Sequence, residues 1–450
     1  QFRKKFGNIF RLQNCWTNVV VLNGYKTVKE ALVHKSEDFA DRPYLPIYEH
    51  LGYGHQSEGK APDISRSPII PGLVFARYGR VWKELRKFTL TTLRNFGMGK
   101  KSLEERVSEE AGFLCSAINS EQGRPFDPRF LVNNAVCNVI CAITVGGRFE
   151  YGDEAFKKLL ALSENSLNEE SGFLPEILNV MPILLRIPGL PQRLFRCQKE
   201  YLDFIEALID KHKETWDPAH IRDFTDAFLK EMSKGKEAEE NGFNKNNLSL
   251  VTADLFIAGS ETTATTLRWA FLYMLLHPEI QSKVHKEIDK VIGRNRSPTM
   301  ADQVNMPYTN AVIHEAQRCG DIVPTGLPHM THRDTELQGF FIPKGTTVIT
   351  NLNSVLKDET VWKKPNEFYP EHFLDENGQF VRPEAFLPFS AGRRACPGEQ
   401  LARMELFLFF TTLMQKFTFV LPEGQPRPRE DNHYAFTNTP HKYQMRALPR

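Results

Sequence analysis

The pattern of hydrophobic and polar positions divides the chain into a β-rich start, a long helical centre and a mixed end. Asn8 to Asn23 alternates apolar and polar residues with many β-branched side chains, which predicts two short strands. A short helix over Tyr25 to His34 follows. From Val81 to about Ile292 apolar residues recur at helical spacing, and strands return after Gly320. A last long helix is predicted over Glu399 to Lys416, so we expect a mainly α fold with a smaller β portion.

Two segments interrupt this pattern. Glu49 to Gly79 is rich in Gly, Pro and Ser, which predicts a long loop, and the charged tract Lys234 to Asn247 predicts a solvated linker. A length of 450 residues gives a prior of about three domains. Because no linker clearly divides the helical centre, we instead expect a single domain over residues 1–450.

Composition excludes several classes of protein. The charged fraction is 25% and the hydrophobic fraction 41%, which is ordinary for a globular chain and excludes a disordered or fibrous one. The formal net charge of +2 argues against a nucleic-acid-binding protein. No apolar stretch reaches the 18 residues that a bilayer span needs. The chain starts at Gln1 without Met, which predicts that an N-terminal segment has been removed.

The seven cysteines do not form the pattern of a disulfide scaffold or a zinc site. Their number is odd, their positions are scattered, and no C-x-x-C pair occurs. One of them, Cys396, lies in a glycine-containing turn just before a predicted helix, where backbone N–H groups and the helix dipole favour a thiolate. Arg394 adds a positive charge suited to an anion. Taken alone, such a residue is more often an unreactive cysteine in a turn.

The complete stretch from Phe389 to Gly398, F-x-x-G-x-R-x-C-x-G, resembles the haem-binding loop of cytochrome P450 monooxygenases. The resemblance implies the P450 fold, with haem b between a long central helix and the helix after the cysteine. It also implies that Cys396 is the axial thiolate of the haem iron, which promotes O–O cleavage. Arg394 would then bind a haem propionate, and Phe389 would shield the sulfur.

Three weaker motifs agree with this resemblance. Glu315-x-x-Arg318 alone is a common helical ion pair, but in the family it forms a structural lock with a third residue. Here that third position is His372, where many members have Arg, which predicts a weaker or pH-sensitive lock. Trp82-x-x-x-Arg86 resembles a propionate-binding helix, although an ordinary amphipathic helix explains it equally well. His329 also falls at a position that contacts propionate in related enzymes.

The apolar segment Ser249 to Met274 predicts a long buried helix that carries polar residues on one side. At about 100° per residue, four positions lie within about 60° of one another, and three of them are polar. These four are Asp254, Ala258, Glu261 and Thr265, and Thr262 flanks them. A buried acid beside an alcohol is costly unless it is hydrogen-bonded or functional. The resemblance implies that Glu261 and Thr262 help deliver protons to the dioxygen that haem activates. It also implies that Ala258 leaves room for oxygen and substrate.

Segments such as TWDPAH, MPYTNAVIHE and FLPFSAGRRAC are similar to the D subfamily of P450 family 2, the debrisoquine-hydroxylase type. This resemblance implies oxidation of lipophilic amines, with Asp254 and Glu170 as acidic substrate-binding residues. Glu170 as a solvated helix end, and Asp254 as a partner of loop backbone, remain alternatives. Apolar pocket positions are expected at Phe436, Val323 and Phe173.

A departure from close relatives lies between Lys60 and Gly72, where this chain carries an extra Pro-rich loop over the expected pocket. We expect the fold to tolerate it, because long surface insertions cost little closure entropy. We expect it to change pocket access or substrate choice, and it keeps a catalytically impaired variant possible. Three interpretations of the function remain open. They are a reductase-dependent monooxygenase, a haem-thiolate isomerase or peroxygenase, and a catalytically impaired haem-binding splice variant.

The resemblance also implies partners and a location. NADPH-cytochrome P450 reductase is the expected electron donor, with cytochrome b5 as a second candidate. A basic face for the reductase is predicted at Lys83, Lys87, Arg393 and Arg403, and a scattered basic surface is the alternative. The expected location is the cytosolic face of the endoplasmic reticulum membrane, with the family's N-terminal anchor absent from this chain. The apolar segment Leu174 to Leu194 is expected to enter the membrane surface or to join the hydrophobic core.

Overall fold

Helices predominate in the computed structural model, which describes residues 2–14, 17–49, 72–97, 101–434 and 436–450. The helices are α1 (Phe2–Phe6), α2 (Tyr25–Lys29), α3 (Arg80–Asn95), α4 (Lys101–Ser120), α5 (Pro128–Thr144), α6 (Glu154–Glu170), α7 (Phe173–Val180), α8 (Leu190–Leu194), α9 (Arg196–Lys213), α10 (Phe224–Met232), α11 (Lys236–Glu240), α12 (Lys245–Leu276), α13 (Pro278–Val291), α14 (Pro307–Gly320), α15 (Asn353–Leu356) and α16 (Glu399–Lys416). The strands are β1 (Ile9–Asn14), β2 (Thr17–Leu22), β3 (His329–Met330), β4 (Thr335–Leu337), β5 (Phe340–Ile342), β6 (Thr347–Thr350), β7 (Phe417–Val420), β8 (Asn432–Tyr434), β9 (Asn438–Pro440) and β10 (Arg446–Pro449). The predicted mainly α architecture with a smaller β portion is confirmed.

The largest sheet joins the start of the chain to its last third in the order β1-β2-β6-β3. β1 and β2 are antiparallel, β2 runs parallel to β6, and β3 is antiparallel to β6. The two predicted N-terminal strands are therefore confirmed. The helix predicted over Tyr25 to His34 begins as α2 and continues as a wider π-helical turn over Glu30–His34.

The long helix α12 runs through the hydrophobic core and packs against α5, α9, α14 and α16. It is buried on almost every side because its apolar residues surround the helix rather than forming one stripe. Its first turn is capped by Asn244, whose side-chain oxygen accepts the backbone N–H of Asn247 at 2.9 Å. This helix therefore offers a rigid support for side chains on more than one face.

The solvated linker predicted over Lys234 to Asn247 is only partly correct. The tract contains the short helix α11 and the first turn of α12. Ala238 and Phe243 are buried, and Phe243 packs edge-on against Phe88 at 5.2 Å between ring centroids. Charge density along the tract concealed these two apolar anchors.

The buried lock predicted from Glu315 and Arg318 is present. Arg318 Nε and one of its NH2 groups donate to the two carboxylate oxygens at 2.7 and 2.8 Å, and both side chains are fully buried. Its other donors bind backbone carbonyls. His372 Nδ1 lies 3.1 Å from Glu315, while its Nε2 accepts the backbone N–H of Lys364 at 3.1 Å. A neutral imidazole satisfies both contacts. The weaker or pH-sensitive behaviour of this lock stays a prediction.

The predicted loop over Glu49 to Gly79 and the extra loop 60–72 lie largely outside the described residues. Their last part, residues 72–79, contains no helix or strand and passes beside α12, where Gly72 N–H donates to Asn247 at 2.9 Å. Among the described helices, none combines the length and apolar character that crossing a membrane requires.

Candidate active site

The loop that carries Cys396 is held in a tight conformation that requires glycine. It contains a 3₁₀ turn over Gly392–Arg394, and Cys396 N–H donates to the Phe389 carbonyl at 3.0 Å. Gly392 has φ +74°, in the left-handed region, and a Cβ there would lie 1.6 Å from the carbonyl oxygen of Leu32. The loop is therefore pressed directly against the turn that follows α2.

Cys396 lies deep in the protein, but its thiol is open to a cavity, which we call the thiol cavity. Burial raises the pKa of the Cys396 thiol. The backbone N–H groups of Gly398 and Glu399, at the start of α16, and the charge of Arg86 act in the opposite direction. These donors would stabilise a thiolate bound to a metal cation.

The thiol cavity has a volume of about 270 Å³ and separates the cysteine loop from α12. One side is formed by α12, and the opposite side is formed by the loop and the start of α16. The predicted site residues that line it are Asp254, Ala258, Thr262, Val323, His329, Phe389, Arg86, Arg394 and Cys396. The structure thus brings together most of the residues that the sequence singled out from distant parts of the chain.

Three arginine side chains at the thiol cavity lack an acidic partner. Within the described chain, the hydrogen bonds of Arg42, Arg86 and Arg394 all end on backbone carbonyls. Burial lowers the pKa of Arg42 to about 10. Burial, assisted by the charge of Arg42, lowers the pKa of Arg394 to about 8. Buried cations are costly without an anion, so this wall of the cavity is suited to carboxylate groups.

Trp82 and His329 support this wall in different ways. The indole N–H of Trp82 donates to the Leu73 carbonyl at 3.2 Å, and its ring lies 3.9 Å from the guanidinium carbon of Arg394. Trp82 therefore positions Arg394, and its direct contact with a propionate stays a prediction. His329 Nδ1 donates to the Phe39 carbonyl at 2.7 Å. Burial, followed by the charge of Arg42, lowers the pKa of His329 to about 3.

Glu261 and Thr262 are adjacent in sequence but face different cavities. The hydroxyl of Thr262 lines the thiol cavity and donates to the Ala258 carbonyl at 2.7 Å. Glu261 instead lines a second cavity, which we call the polar cavity. Its Oε1 accepts hydrogen bonds from Thr265 at 3.0 Å and from Thr437 at 3.1 Å. Burial raises the pKa of Glu261.

Helix geometry explains why these neighbours diverge. With Asp254 at zero and about 100° per residue, Leu255 lies at about 100°, Thr262 at about 80° and Glu261 at about −20°. The thiol cavity is lined by Asp254, Leu255 and Thr262. The face of α12 that lines this cavity is therefore centred near Thr262. The grouping within 60° placed Glu261 together with Asp254 and Ala258, but Glu261 lies beyond the edge of that face.

Asp254 is bound to the backbone of the facing loop and also lines the thiol cavity. Its Oδ2 accepts the N–H groups of Leu73 at 2.7 Å and Val74 at 3.0 Å. Burial raises the pKa of Asp254 to about 6, although these two donors lower it. Burial, and then the negative charge of Asp254, raise the pKa of Glu170 to about 8. The two predicted substrate acids are therefore electrostatic neighbours, with Glu170 at the end of α6.

Two of the predicted apolar pocket residues lie elsewhere. Phe436 lines the polar cavity, beside Glu261. Phe173 is 82% exposed, which places it outside either cavity. It begins α7, and the buried residues Pro175 and Leu178 lie about 140–160° around that helix from it. The apolar character of Phe173 alone gave no sign of this orientation.

Comparison with known proteins decides the family. The family model for cytochrome P450 matches residues 1–447. The chain belongs to the cytochrome P450 family. It is 57% identical to cytochrome P450 2D14 of Bos taurus and 56% identical to cytochrome P450 2D6 of Homo sapiens. It is 55% identical to cytochrome P450 2D20 of Mesocricetus auratus. Each match covers all of this chain and 88% of the relative. The resemblance to subfamily 2D is thus confirmed.

This cytochrome P450 is a haem-thiolate monooxygenase, and its cofactor is haem b. The thiol cavity fits that group. A thiol faces it from one side, small residues of α12 face it from the other, and guanidinium groups without acidic partners lie at its edge. Cys396 would hold the iron, and Arg86 and Arg394 would hold the propionates.

Arg42 is a site residue that the sequence reasoning missed. Only 4% of it is exposed, and it donates to the carbonyls of Val74, Leu327 and Pro328. Its surroundings, Asp41-Arg42-Pro43, resemble an ordinary charged turn. Its role arises only when three distant segments meet, so the sequence contained no local signal for it.

Replacement of Gly392 by Ala should abolish stable haem binding. The new Cβ would overlap the Leu32 carbonyl, so the cysteine loop would have to move away from the turn after α2. We expect haem bound per chain to fall at least tenfold, as measured by the absorbance ratio of haem to protein after purification.

Gly378 offers a matched control. It also has a positive φ, +71°, but a Cβ there meets nothing within 4 Å. Gly378→Ala should therefore cost only about 1 kcal/mol of backbone strain and leave haem content near normal. Equal haem content in the two variants would contradict the steric argument.

Proposed function

We propose that this cytochrome P450 oxidises lipophilic organic amines and that residues 1–450 act as one catalytic domain. The observation that supports this substrate class is Asp254, a buried acid that lines an otherwise largely apolar cavity, with the half-buried Glu170 as its electrostatic neighbour. Val323 and Ala258 contribute to its apolar surface. An apolar pocket with few polar groups is typical of sites for small lipophilic ligands.

The carboxylate of Asp254 has room for a second partner. Both of its hydrogen bonds to the backbone end on Oδ2, and among the described residues none ends on Oδ1. A protonated amine about 4 Å from a carboxylate gains about 4 kcal/mol at an effective dielectric constant of about 20, before desolvation is subtracted. Loop positioning and substrate binding can therefore coexist at Asp254.

The other site residues have roles that follow from their positions. Haem bound through Cys396 supplies the activation of dioxygen. The Thr262 hydroxyl would pass a proton into the thiol cavity, and Glu261 would take up protons from the polar cavity on the adjacent face of α12. Phe389 would shield the sulfur from water. Neutral His329 would fill the propionate side of the cavity.

Electrons are proposed to come from NADPH-cytochrome P450 reductase, with cytochrome b5 as a second candidate donor. Lys83, Lys87 and Arg393 are exposed on the cysteine side of the protein and support a basic docking face. Arg403 does not contribute, because its guanidinium binds Glu399 at 2.8 Å and His314 at 2.7 Å. Product formation that requires both NADPH and reductase distinguishes this function from an isomerase, a peroxygenase or a non-catalytic haem protein.

The proposed location is the cytosolic face of the endoplasmic reticulum membrane. Support comes from a group of exposed apolar side chains around α7 and the segment after it, which we call the apolar patch. Its members are Phe173, Leu174, Met181, Ile183 and Ile187. Exposed apolar patches of this kind mark contact surfaces for membranes or proteins. Much of the segment Leu174 to Leu194 therefore lies on the surface, although Leu178 and Leu185 join the core.

Amine binding should weaken as the pH falls from 8 to 6. The pKa of Glu170 is about 8 and that of Asp254 about 6, so both gain protons over this range. Aliphatic amines stay protonated between pH 6 and 8. An ammonium group must therefore displace the proton that a carboxyl group has gained. We expect Kd to rise by up to about tenfold per pH unit below 8. The measurement is the shift of the haem absorption band during titration with an amine.

A neutral analogue with a methylene group in place of the amine is the control and should bind equally at both pH values. Glu170→Gln should remove the change in Kd between pH 8 and 7. It should leave the change in Kd that centres near pH 6. Identical pH profiles for the amine and its neutral analogue would contradict the role of the acids.

Removal of the apolar patch should weaken membrane binding. Ile183 and Ile187 are 63% and 48% exposed, so replacing both with Ser removes apolar surface without disturbing the core. We expect several-fold weaker co-sedimentation with phosphatidylcholine vesicles. The matched control is Val304→Ser, which removes an 80% exposed side chain far along the sequence. Equal binding by the two variants would show that the patch does not contact lipid.

A further inference from the structure

The polar cavity contains a buried cation without a partner. The cavity has a volume of about 340 Å³ and lies among α5, α6, α12, His433 and the segment 436–442. Arg268 of α12 lines it and is only 7% exposed. Within the part of the chain that the structure describes, no hydrogen bond or ion pair ends on its guanidinium. A buried, unpaired guanidinium is costly, so its retention points to a ligand.

Further donors surround this cavity. Arg129 binds Glu164 through one NH2 group at 3.0 Å, but its buried Nε has no partner. Lys442 is exposed at the edge of the cavity. The amide of Asn133 also lines the cavity, and its NH2 group is a further donor. Three permanent cations therefore share one small space.

The acids of the cavity are already engaged. Glu164 pairs with Arg129, and the Oε1 of Glu261 accepts two threonine hydroxyls. Neither carboxylate lies within ion-pair distance of Arg268. The positive charge at the back of the cavity is thus not neutralised by the protein itself.

We propose that the polar cavity is a binding site for a small dissolved oxyanion, such as phosphate or a simple carboxylate, with Arg268 as its principal ligand. The planar guanidinium matches two oxygens of such an anion in a bidentate contact, which is stronger than a neutral hydrogen bond. The free Nε of Arg129 and the ammonium group of Lys442 add to the attraction. The cavity volume suits a small anion with its bound waters.

A bound anion would also act on Glu261. Arg268 follows Glu261 by seven residues, which is about two helical turns and places both on nearly the same face of α12. Burial raises the pKa of Glu261, the charge of Arg268 acts against that rise, and an anion on Arg268 would offset the influence of Arg268. This consequence rests on the proposed proton-transfer role of Glu261, whereas anion binding itself does not.

The test compares the thermal unfolding of the haem-loaded protein in phosphate and in chloride at equal ionic strength. Phosphate should raise Tm in a saturable manner, because a ligand that binds only the folded state stabilises it. Arg268→Gln should lose this response and should raise Tm in chloride, since an unpaired buried charge is removed. Arg11→Gln, which alters an exposed arginine on β1, should keep the full phosphate response.

Phosphorus NMR provides a second measurement that does not depend on unfolding. The inorganic phosphate line should broaden with wild-type protein and sharpen again when acetate competes. If Arg268→Gln fails to accumulate, Lys442→Gln provides the test instead. Its phosphate affinity should be reduced about two- to fivefold. An equal phosphate response in wild type and Arg268→Gln, an equal loss in Arg11→Gln, or an unchanged affinity in Lys442→Gln would overturn the proposal.

Discussion

Three guanidinium groups beside the thiol cavity need an anion, and the rest of the site depends on that need. Arg42, Arg86 and Arg394 hydrogen-bond to backbone carbonyls rather than to acids. Their carbonyl partners include Ala40 and belong otherwise to the segments before α3, before β3 and within the cysteine loop. The same side chains that need an anion therefore also hold these segments together. The propionate groups of haem b would satisfy that need. Folding of the loops and binding of the cofactor are therefore coupled through the same side chains.

The cysteine loop and α12 supply the two faces between which the cofactor fits. Contact between Gly392 and the Leu32 carbonyl fixes one face, and the buried length of α12 fixes the other. Asp254 connects α12 to the loop that contains Leu73 and Val74, because it binds the backbone of that loop and also lines the cavity. The acid that is proposed to bind the amine thus also positions the loop that leads to the propionate wall.

Adjacent faces of α12 separate the chemistry of the enzyme into two compartments. Thr262 faces the thiol cavity, which is largely apolar, and Glu261 faces the polar cavity, which contains unpaired positive charge. Under the proposed function, this division would keep the charged cavity away from a lipophilic substrate. A proton that enters at Glu261 would need to cross only one step of the helix to reach Thr262.

Sequence patterns predicted the features that depend on neighbouring residues in the chain. Features that depend on contacts between distant segments were determined by the fold. The loop around Cys396, the Glu315–Arg318 lock and the bounds of α16 all follow from contiguous motifs. Arg42 escaped notice because its carbonyl partners come from two distant segments of the chain. Trp82, Phe173 and Phe436 were assigned by resemblance, but the direction of each side chain depends on packing. The cavity that Glu261 faces could not be predicted, because the neighbouring elements determine which side of α12 lines each cavity.

The absorption spectrum of the reduced protein with carbon monoxide tests the central claim, that Cys396 binds haem iron as a thiolate. The account predicts a strongly red-shifted Soret band, which is typical of a thiolate ligand opposite carbon monoxide. Cys396→Ala should lose that band. A band at the ordinary position for a histidine or neutral thiol ligand, or a wild-type protein without haem, would contradict the account.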